Sequence, residues 1–304
     1  MAATADQMQF PDGDPAGAVN AQTPVASLYV VATPIGNLRD ITLRALETLR
    51  GVAVIAAEDT RTSATLLAHH GIATKVIAAH EHNEAQAAQR IIGLLQAGQG
   101  VALITDAGTP AISDPGARIV RAVRDAGFSV VPIPGANAAI AALSASGLEG
   151  PFHFAGFLSP KSSARRTALR AWVPLPATLV LYEAPHRILD LARDLAEEYP
   201  GERRMVLARE LTKRFESIHA TTVAQAANWL EGDSNRLRGE FVVLIEAASA
   251  AAGKTVDDQA ERVLVLLLAE LPVKSAARLA AAITGAPRNA LYARALELKS
   301  GDGE

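Results

Sequence analysis

The residues best suited to chemistry lie in several short loops, not in one catalytic string. Residues 105–116 read TDAGTPAISDPG. Asp106 directly follows the apolar run 101–104, and a carboxylate at the end of a buried strand needs a partner. Two further segments, Thr33-Pro34-Ile35-Gly36-Asn37 and Ile133-Pro134-Gly135-Ala136-Asn137, are built from the same small residues and prolines. Such loops are rigid, expose backbone N–H and C=O groups, and let an extended polar ligand approach closely. A single loop of this kind reads equally well as a tight strand-to-helix turn, with Asp114 capping a helix that opens at Pro115. Three of them at the strand ends of one sheet point to a ligand site. Asp40 is expected to cap the helix after the first loop.

Titratable residues cluster near these loops. Glu58-Asp59-Thr60-Arg61 reads either as a helix cap with an ion pair or as a group in which Asp59 or Arg61 orients a substrate. His80-Glu81-His82-Asn83-Glu84 places two histidines in alternation on one strand face. A metal would need a third ligand at recognisable spacing, and none is found, so no metal is expected and contact with substrate is the better reading. His69-His70 suits the C-terminal end of a helix. Lys213, in Glu210-Leu211-Thr212-Lys213-Arg214, follows a buried strand and is a candidate for an active cleft. Lys161, Arg165, Arg166 and Arg170 recur at helical spacing. They form either a solvated face or, given the scarcity of acids among them, a phosphate-binding stripe.

Strand patterns at 28–32, 52–56, 75–79, 101–105 and 129–133 alternate with helical patterns at 42–49, 62–70, 84–97, 116–126 and 136–146. That alternation predicts a parallel sheet covered by helices on both faces, with ligands beyond the carboxyl ends of the strands. The turn-rich segment 147–151 reads as a domain boundary. A second α/β unit follows, with strands at 153–157, 178–182, 205–208, 216–220 and 241–246 and helices at 164–172, 188–198 and 223–231. An antiparallel pairing of 216–220 with 241–246 would make this sheet mixed. A flexible Ala/Ser/Gly segment, 247–253, leads to a helical tail. Within it, 276–296 shows two helical patterns split by Thr284-Gly285-Ala286-Pro287. This is either a helix-turn-helix that contacts RNA or a hairpin packed on the core. The expected division is therefore a leader at 1–24, α/β domains at 25–147 and 148–248, and a helical tail at 255–304.

Composition narrows the field. The chain has 304 residues, 49% of them hydrophobic, enough for two ordinary cores and a small third. Without cysteine it can form no disulfide, thiolate metal site or cysteine nucleophile. Residues 1–24 contain neither a basic residue nor an apolar stretch, so they read as a disordered leader and not a targeting peptide. No run reaches membrane-spanning length, and the expected location is the cytosol. The net charge of −3 hides segregation, because residues 161–214 carry eleven Lys and Arg against seven Asp and Glu. Residues 272–299 carry Lys274, Arg278, Arg288, Arg294 and Lys299 against Glu297. Both segments suit a polyanion. Neither the G-x-G-x-x-G nor the G-x-x-x-x-G-K-[ST] pattern occurs.

Taken in order, 28–46 (LYVVATPIGNLRDITLRAL), 57–62 (AEDTRT), 80–84 (HEHNE), 105–116 (TDAGTPAISDPG) and 132–137 (PIPGAN) resemble the tetrapyrrole-methylase (class III methyltransferase) superfamily. So do 154–161 (FAGFLSPK), 181–187 (LYEAPHR), 208–213 (ARELTK) and 238–241 (RGEF). The likeness is specifically to its ribosomal branch, the 16S rRNA 2′-O-ribose cytidine methyltransferases. Corrin and precorrin relatives carry a Gly-rich turn after the first strand, where this chain has Ala32-Thr33-Pro34-Ile35-Gly36-Asn37. The resemblance implies S-adenosylmethionine in a cleft between two α/β domains. Pro34, Asp106, Ala107, Gly108, Thr109, Ser113, Ala136 and Asn137 would hold it from the first domain, and Tyr182, Glu183, Leu211 and Gly239 from the second. It implies 16S rRNA of the small ribosomal subunit as partner, and a homodimer.

On that basis Lys213, Asp59 and Arg61 are the expected catalytic residues. Lys161, Arg165, Arg166, Arg170, Arg187 and Arg288 are the expected RNA contacts. A ribose hydroxyl needs help losing its proton. Lys213, with its pKa lowered by desolvation, is slightly preferred for that role over Asp59. A methyltransferase acting on a small tetrapyrrole and a non-catalytic RNA-binding or ribosome-assembly module are the rivals. The basic segments count against the first, and bound S-adenosylmethionine would exclude the second.

Overall fold

The structure, a computed structural model, describes residues 26–248 and 258–301. The leader at 1–24 and most of the segment read as flexible, 247–253, lie outside the described residues. The described residues form two compact units, one of residues 26–34 and 38–136, the other of residues 35–37, 137–248 and 258–301.

In the first unit the strands are β1 (Ser27–Val31), β2 (Val54–Ala57), β3 (Lys75–Ala78), β4 (Val101–Ile104) and β5 (Ser129–Ile133). They lie in the order β3-β2-β4-β1-β5, and every pairing is parallel. The intervening helices are α1 (Leu43–Gly51), α2 (Thr60–His69), α3 (Glu84–Gln96) and α4 (Ala117–Asp125). Because successive strand residues face opposite sides, the sheet has two cores. Leu28, Val54, Val101 and Leu103 pack with Ile91, Leu95, Ile119 and Val123, whereas Val31, Ile55, Ala102 and Ile104 pack with Leu49 and Leu67. Asp40 does not cap α1. It ends a 3₁₀ turn (Leu38–Asp40), and Thr42, adjacent to the first helical residue, accepts the Ala45 N–H at 3.2 Å.

Beyond residues 35–37, the first element of the second unit is α5 (Ala138–Ser146), whose Ala139 and Ala142 are buried with Val180, Val206 and Leu244. The compact units accordingly divide at Asn137, not at the turn-rich 147–151. The sheet contains β6 (Phe152–Phe157), β7 (Thr178–Glu183), β8 (Arg204–Arg209), β9 (Ser217–Thr222) and β10 (Phe241–Ile245), with α6 (Ser162–Trp172), α7 (Ile188–Glu198) and α8 (Val223–Glu231). Its order is β6-β7-β10-β8-β9. It is mixed, as expected, but β9 does not pair with β10. Both edges of β10 are taken, by β7 and β8, and β9 instead forms an antiparallel pair with β8.

Three helices form the tail: α9 (Asp258–Glu270), α10 (Val273–Thr284) and α11 (Arg288–Gly301). They share a core of Ala260, Leu264, Ala276, Ala277, Ala280, Leu291 and Ala295. Gly285 caps α10 at a left-handed φ of 76°, and Thr284 Oγ1 accepts the Ala286 N–H at 3.2 Å, which turns the chain sharply into α11. Among the described residues no helix is long and apolar enough to cross a membrane.

The α6 stripe is the clearest departure from the sequence reading. Arg165 is 3% exposed and donates to Asp194 of α7 at 2.5 Å, while Ser162 Oγ donates to the other Asp194 oxygen at 2.9 Å. Arg166 pairs with Glu197 and Glu198, and Arg170 pairs with Glu198. The acids missing along α6 are supplied by the neighbouring helix. Arg165 is therefore a structural residue, and a single buried charge left without its partner is costly, about 3–5 kcal/mol. Arg165→Leu is expected to lower the stability of the second unit by about that amount in urea unfolding, and Arg165→Leu/Asp194→Leu to recover most of it.

Candidate functional site

The three proline- and glycine-containing loops are stitched together at the carboxyl ends of β1, β4 and β5. Thr33 donates its N–H to Gly108 O at 2.8 Å and Gly108 returns the bond to Thr33 O at 3.0 Å, a bridge between the first two loops. Thr33 Oγ1 also donates to Thr105 O at 3.0 Å. The third loop joins through Thr109 Oγ1, which donates to Ala136 O at 3.1 Å. Gly135 lies so close to β1 that a Cβ there would stand 2.8 Å from the Ala32 Cβ. Ala111 and Ser113 both adopt left-handed φ, 69° and 65°, conformations that non-glycine residues hold only where surrounding contacts enforce them. The far end of the loop is fixed by Glu84, a 7% exposed carboxylate on α3 that accepts the Gly116 N–H at 2.7 Å. The result is a rigid rim on which Asp106, Ala107 and Ser113 are exposed.

A carboxylate cluster borders this rim. Glu58 accepts the Asp106 N–H at 3.3 Å, and Asp106 in turn accepts the Asp59 N–H at 3.2 Å. Asp59 caps α2 through the Arg61 N–H at 2.8 Å and pairs with the Arg61 guanidinium at 2.9 Å. Those bonds hold its carboxyl down at about 2. The structure shows the cap and ion-pair reading of Glu58–Arg61, and those bonds make Asp59 a weak base. Asp114 is different: burial first, then the Glu58 and Asp106 charges, push it up to about 6. Burial also raises Glu58. Asp114 does not cap α4, since Gly116 stands at that position. Histidines 80 and 82 do not share a strand face either. His80 opens a 3₁₀ turn (Glu81–Asn83), its N–H bound to Asn83 Oδ1 at 2.8 Å.

In the second unit, the β8–β9 connection is equally constrained. Glu210 and Thr212 take left-handed φ of 53° and 66°, and Gly239 does so at 85° beneath the Glu210 side chain. Lys213 Nζ binds Glu210 at 2.9 Å and Glu240 at 2.7 Å. Its aliphatic stem fills the space over Gly36, where a Cβ would stand 2.6 Å from Lys213 Cγ. Burial pulls the Lys213 ammonium down, but the two carboxylates outweigh it and raise its pKa. The lowered pKa expected from the sequence is thus corrected: desolvation is present, but so are two counter-ions. Leu211 is buried against α5. Tyr182 Oη accepts the Ala139 N–H at 3.1 Å, and Asn137 caps α5 by accepting the Ile140 N–H at 3.2 Å. Glu183 is 1% exposed and committed to Arg187 at 3.0 Å and to the Ala184 N–H at 2.8 Å. Arg187 is spent on Glu183 and on Leu158 O at 2.7 Å, so it is a structural residue and not a free RNA contact.

The fold is shared with solved methyltransferases. The methyltransferase CobJ superimposes with a TM-score of 0.55 at 18% identity over 73% of this chain and 94% of that one. Uroporphyrin-III-C-methyltransferase from Thermus thermophilus does so at 0.51 and 24%, over 73% and 94%. At these identities the likeness is one of fold. Residues 27–227 match the Tetrapyrrole (Corrin/Porphyrin) Methylases, and residues 254–299 match the RsmI C-terminal HTH domain. The ribosomal RNA small subunit methyltransferase I of Pseudomonas aeruginosa is 54% identical over 273 residues, covering 89% of this chain and 97% of that protein. The protein of the same name from Escherichia coli O157:H7 is 50% identical over 279 residues, covering 91% and 97%. The chain belongs to the tetrapyrrole methylase family and, within it, to the family of ribosomal RNA small subunit methyltransferase I.

Because the fold holds Asp114 above the ordinary carboxyl value near 4, its protonation favours folding. That stability is present below about pH 4 and is lost as pH rises through about 6. Asp114→Asn is therefore expected to stabilise the first unit by about 1–2 kcal/mol at pH 7.5, after allowance for solvent screening, and not at all near pH 4. Urea unfolding across that range measures it. Gly239→Ala is expected to cost about 1–3 kcal/mol, since alanine must adopt a left-handed φ against Glu210. Gly239→Ala/Glu210→Ala should recover the steric part of that loss, leaving the backbone part.

Proposed function

We propose that this protein transfers a methyl group from S-adenosylmethionine to the ribose 2′-oxygen of a cytidine in 16S rRNA of the small ribosomal subunit. The carrying observation is the stitched rim of Thr33, Gly108, Thr109 and Gly135, in a chain whose relatives of matching length are named for small-subunit rRNA. The rim fits the cofactor on physical grounds. Close approach at Gly135, left-handed turns at Gly108 and Ser113, and the exposed Asp106 make a rigid polar ledge of the type an extended ligand needs. Pro34, Asp106, Ala107, Gly108, Thr109, Ser113 and Ala136 would hold it there. The Glu183 carboxylate is committed to Arg187 and acts by supporting β7.

The bound cofactor supplies a methyl group already activated by its sulfonium. The protein's own task is to align the acceptor oxygen and remove its proton. Alignment is worth up to about 7–11 kcal/mol and base catalysis about 10²–10⁴-fold. Lys213, held cationic by two carboxylates, positions the β8–β9 connection and does not accept the proton. Asp59 is spent on Arg61 and the α2 cap, and the Asp59–Arg61 pair presents a fixed guanidinium to the substrate. Asp114 is the carboxylate matched to a neutral working pH, and we assign it the proton. The protein acts in the cytoplasm and as a homodimer in this reading. A small tetrapyrrole substrate is disfavoured because it gives no use to the basic helical tail.

Calorimetry tests the cofactor. The parent is expected to bind S-adenosylmethionine and its demethylated product, with Asp106→Ala weakening both about 10–100-fold. Unchanged affinity would remove Asp106 from the site. Single-turnover methylation at saturating RNA and cofactor tests the proton. The parental rate should rise with pH through about 6, and Asp114→Asn should lose the chemical step with binding intact. A flat profile, or a parental rate in Asp114→Asn, would return the proton to another group.

A further inference from the structure

We propose that α11 is the RNA-reading helix of this protein and takes unpaired RNA, with Tyr292 stacking on a base and Arg288 and Lys299 flanking it on phosphates. This deepens the rRNA reading above and rests on it. At 100° per residue, Arg288, Lys299, Tyr292, Leu296 and Asn289 fall in that order within an arc of about 100°. All five are exposed, whereas Leu291 and Ala295, which border the arc on its Arg288 side, are buried in the tail core.

The charge on that arc is not neutralised. Arg294, on the inner side of the helix, is bound to Glu261 and Glu297. Arg288 and Lys299 pair with no described acid, nor do Lys274 and Arg278, which stand one turn apart on α10 and are exposed. The α6 arginines are the reverse case, consumed by Asp194, Glu197 and Glu198. In the first basic segment Lys161 and Arg214 also pair with no described acid, but the tail gathers four such cations, Lys274, Arg278, Arg288 and Lys299. Arg288 also stands at the first turn of α11, where the helix dipole favours a phosphate.

Tyr292 decides which form of RNA. It is 42% exposed in mid-helix, one turn from Arg288 and one turn from the 48% exposed Leu296. An aromatic ring between cations is a stacking platform, which serves splayed single-stranded bases and has nothing to stack on in a closed duplex.

The test uses the full chain and two probes, a fluorescent single-stranded oligoribonucleotide and a blunt RNA duplex of the same length. Tyr292→Ala should weaken single-strand binding roughly five- to a hundredfold with an unchanged salt slope, while Tyr292→Phe retains it. Arg288→Glu should lower the salt slope by about one to two charges. Cofactor affinity and the unfolding midpoint should match the parent in all three. Parental RNA affinity in Tyr292→Ala and Arg288→Glu, or equal losses on the duplex, would overturn the proposal while leaving the rRNA reading in place. A parent that binds neither probe nor intact small subunits would overturn both.

Discussion

The two hydrogen bonds exchanged between Thr33 and Gly108 are the constraint on which the site depends. Ends of parallel strands are ordinarily free to diverge, because nothing in the sheet ladder pairs beyond the last strand residue. Here the loops after β1 and β4 are closed on each other by a backbone bridge, and Thr109 ties in the loop after β5. Gly135 is required because β1 passes too close for a side chain. Glu84 anchors the other end of the long loop from α3. Strain at Ala111 and Ser113 can persist only because both ends of the segment are pinned.

Charge is arranged by the same logic in both units, with opposite outcomes. Around the first rim, burial and then the neighbouring carboxylate charges make Glu58 and Asp114 hold their protons more tightly. Around Lys213, two carboxylates meet one ammonium and the cation is fixed in place. On α6 and α7, guanidiniums and carboxylates cancel, and the surface they form is structural. The first arrangement, chiefly through burial, pushes Asp114 up to about 6; the others make rigid supports.

Much of the fold was legible because its periodicity is local. Alternation of apolar strands with amphipathic helices located all five strands of each sheet within a few residues, and the loops TPIGN, TDAGTP and PIPGAN marked their own strand ends. What could not be read was set by distant partners. Nothing near Arg165 in sequence announces Asp194, and nothing near Lys213 announces Glu240. Competition misled twice: Thr42 outcompetes Asp40 as the cap by adjacency, and β10 is claimed on both edges before β9 can reach it. In sequence the cap reading of Asp114, the alternative to a ligand loop, rests on the Pro115 that follows it. The burial of Asp114 beside Glu58 depends on a loop conformation that no propensity encodes.

The most direct test is methyl transfer itself. Purified protein is incubated with isotopically labelled S-adenosylmethionine and small ribosomal subunits lacking the modification, and the 16S rRNA is then mapped for ribose methylation by resistance to alkaline cleavage. Label at the 2′-oxygen of a cytidine, abolished when Asp106 is replaced by alanine, is the expected result. Label on a base or on no RNA, from protein shown to bind the cofactor, would contradict ribose methylation as its activity.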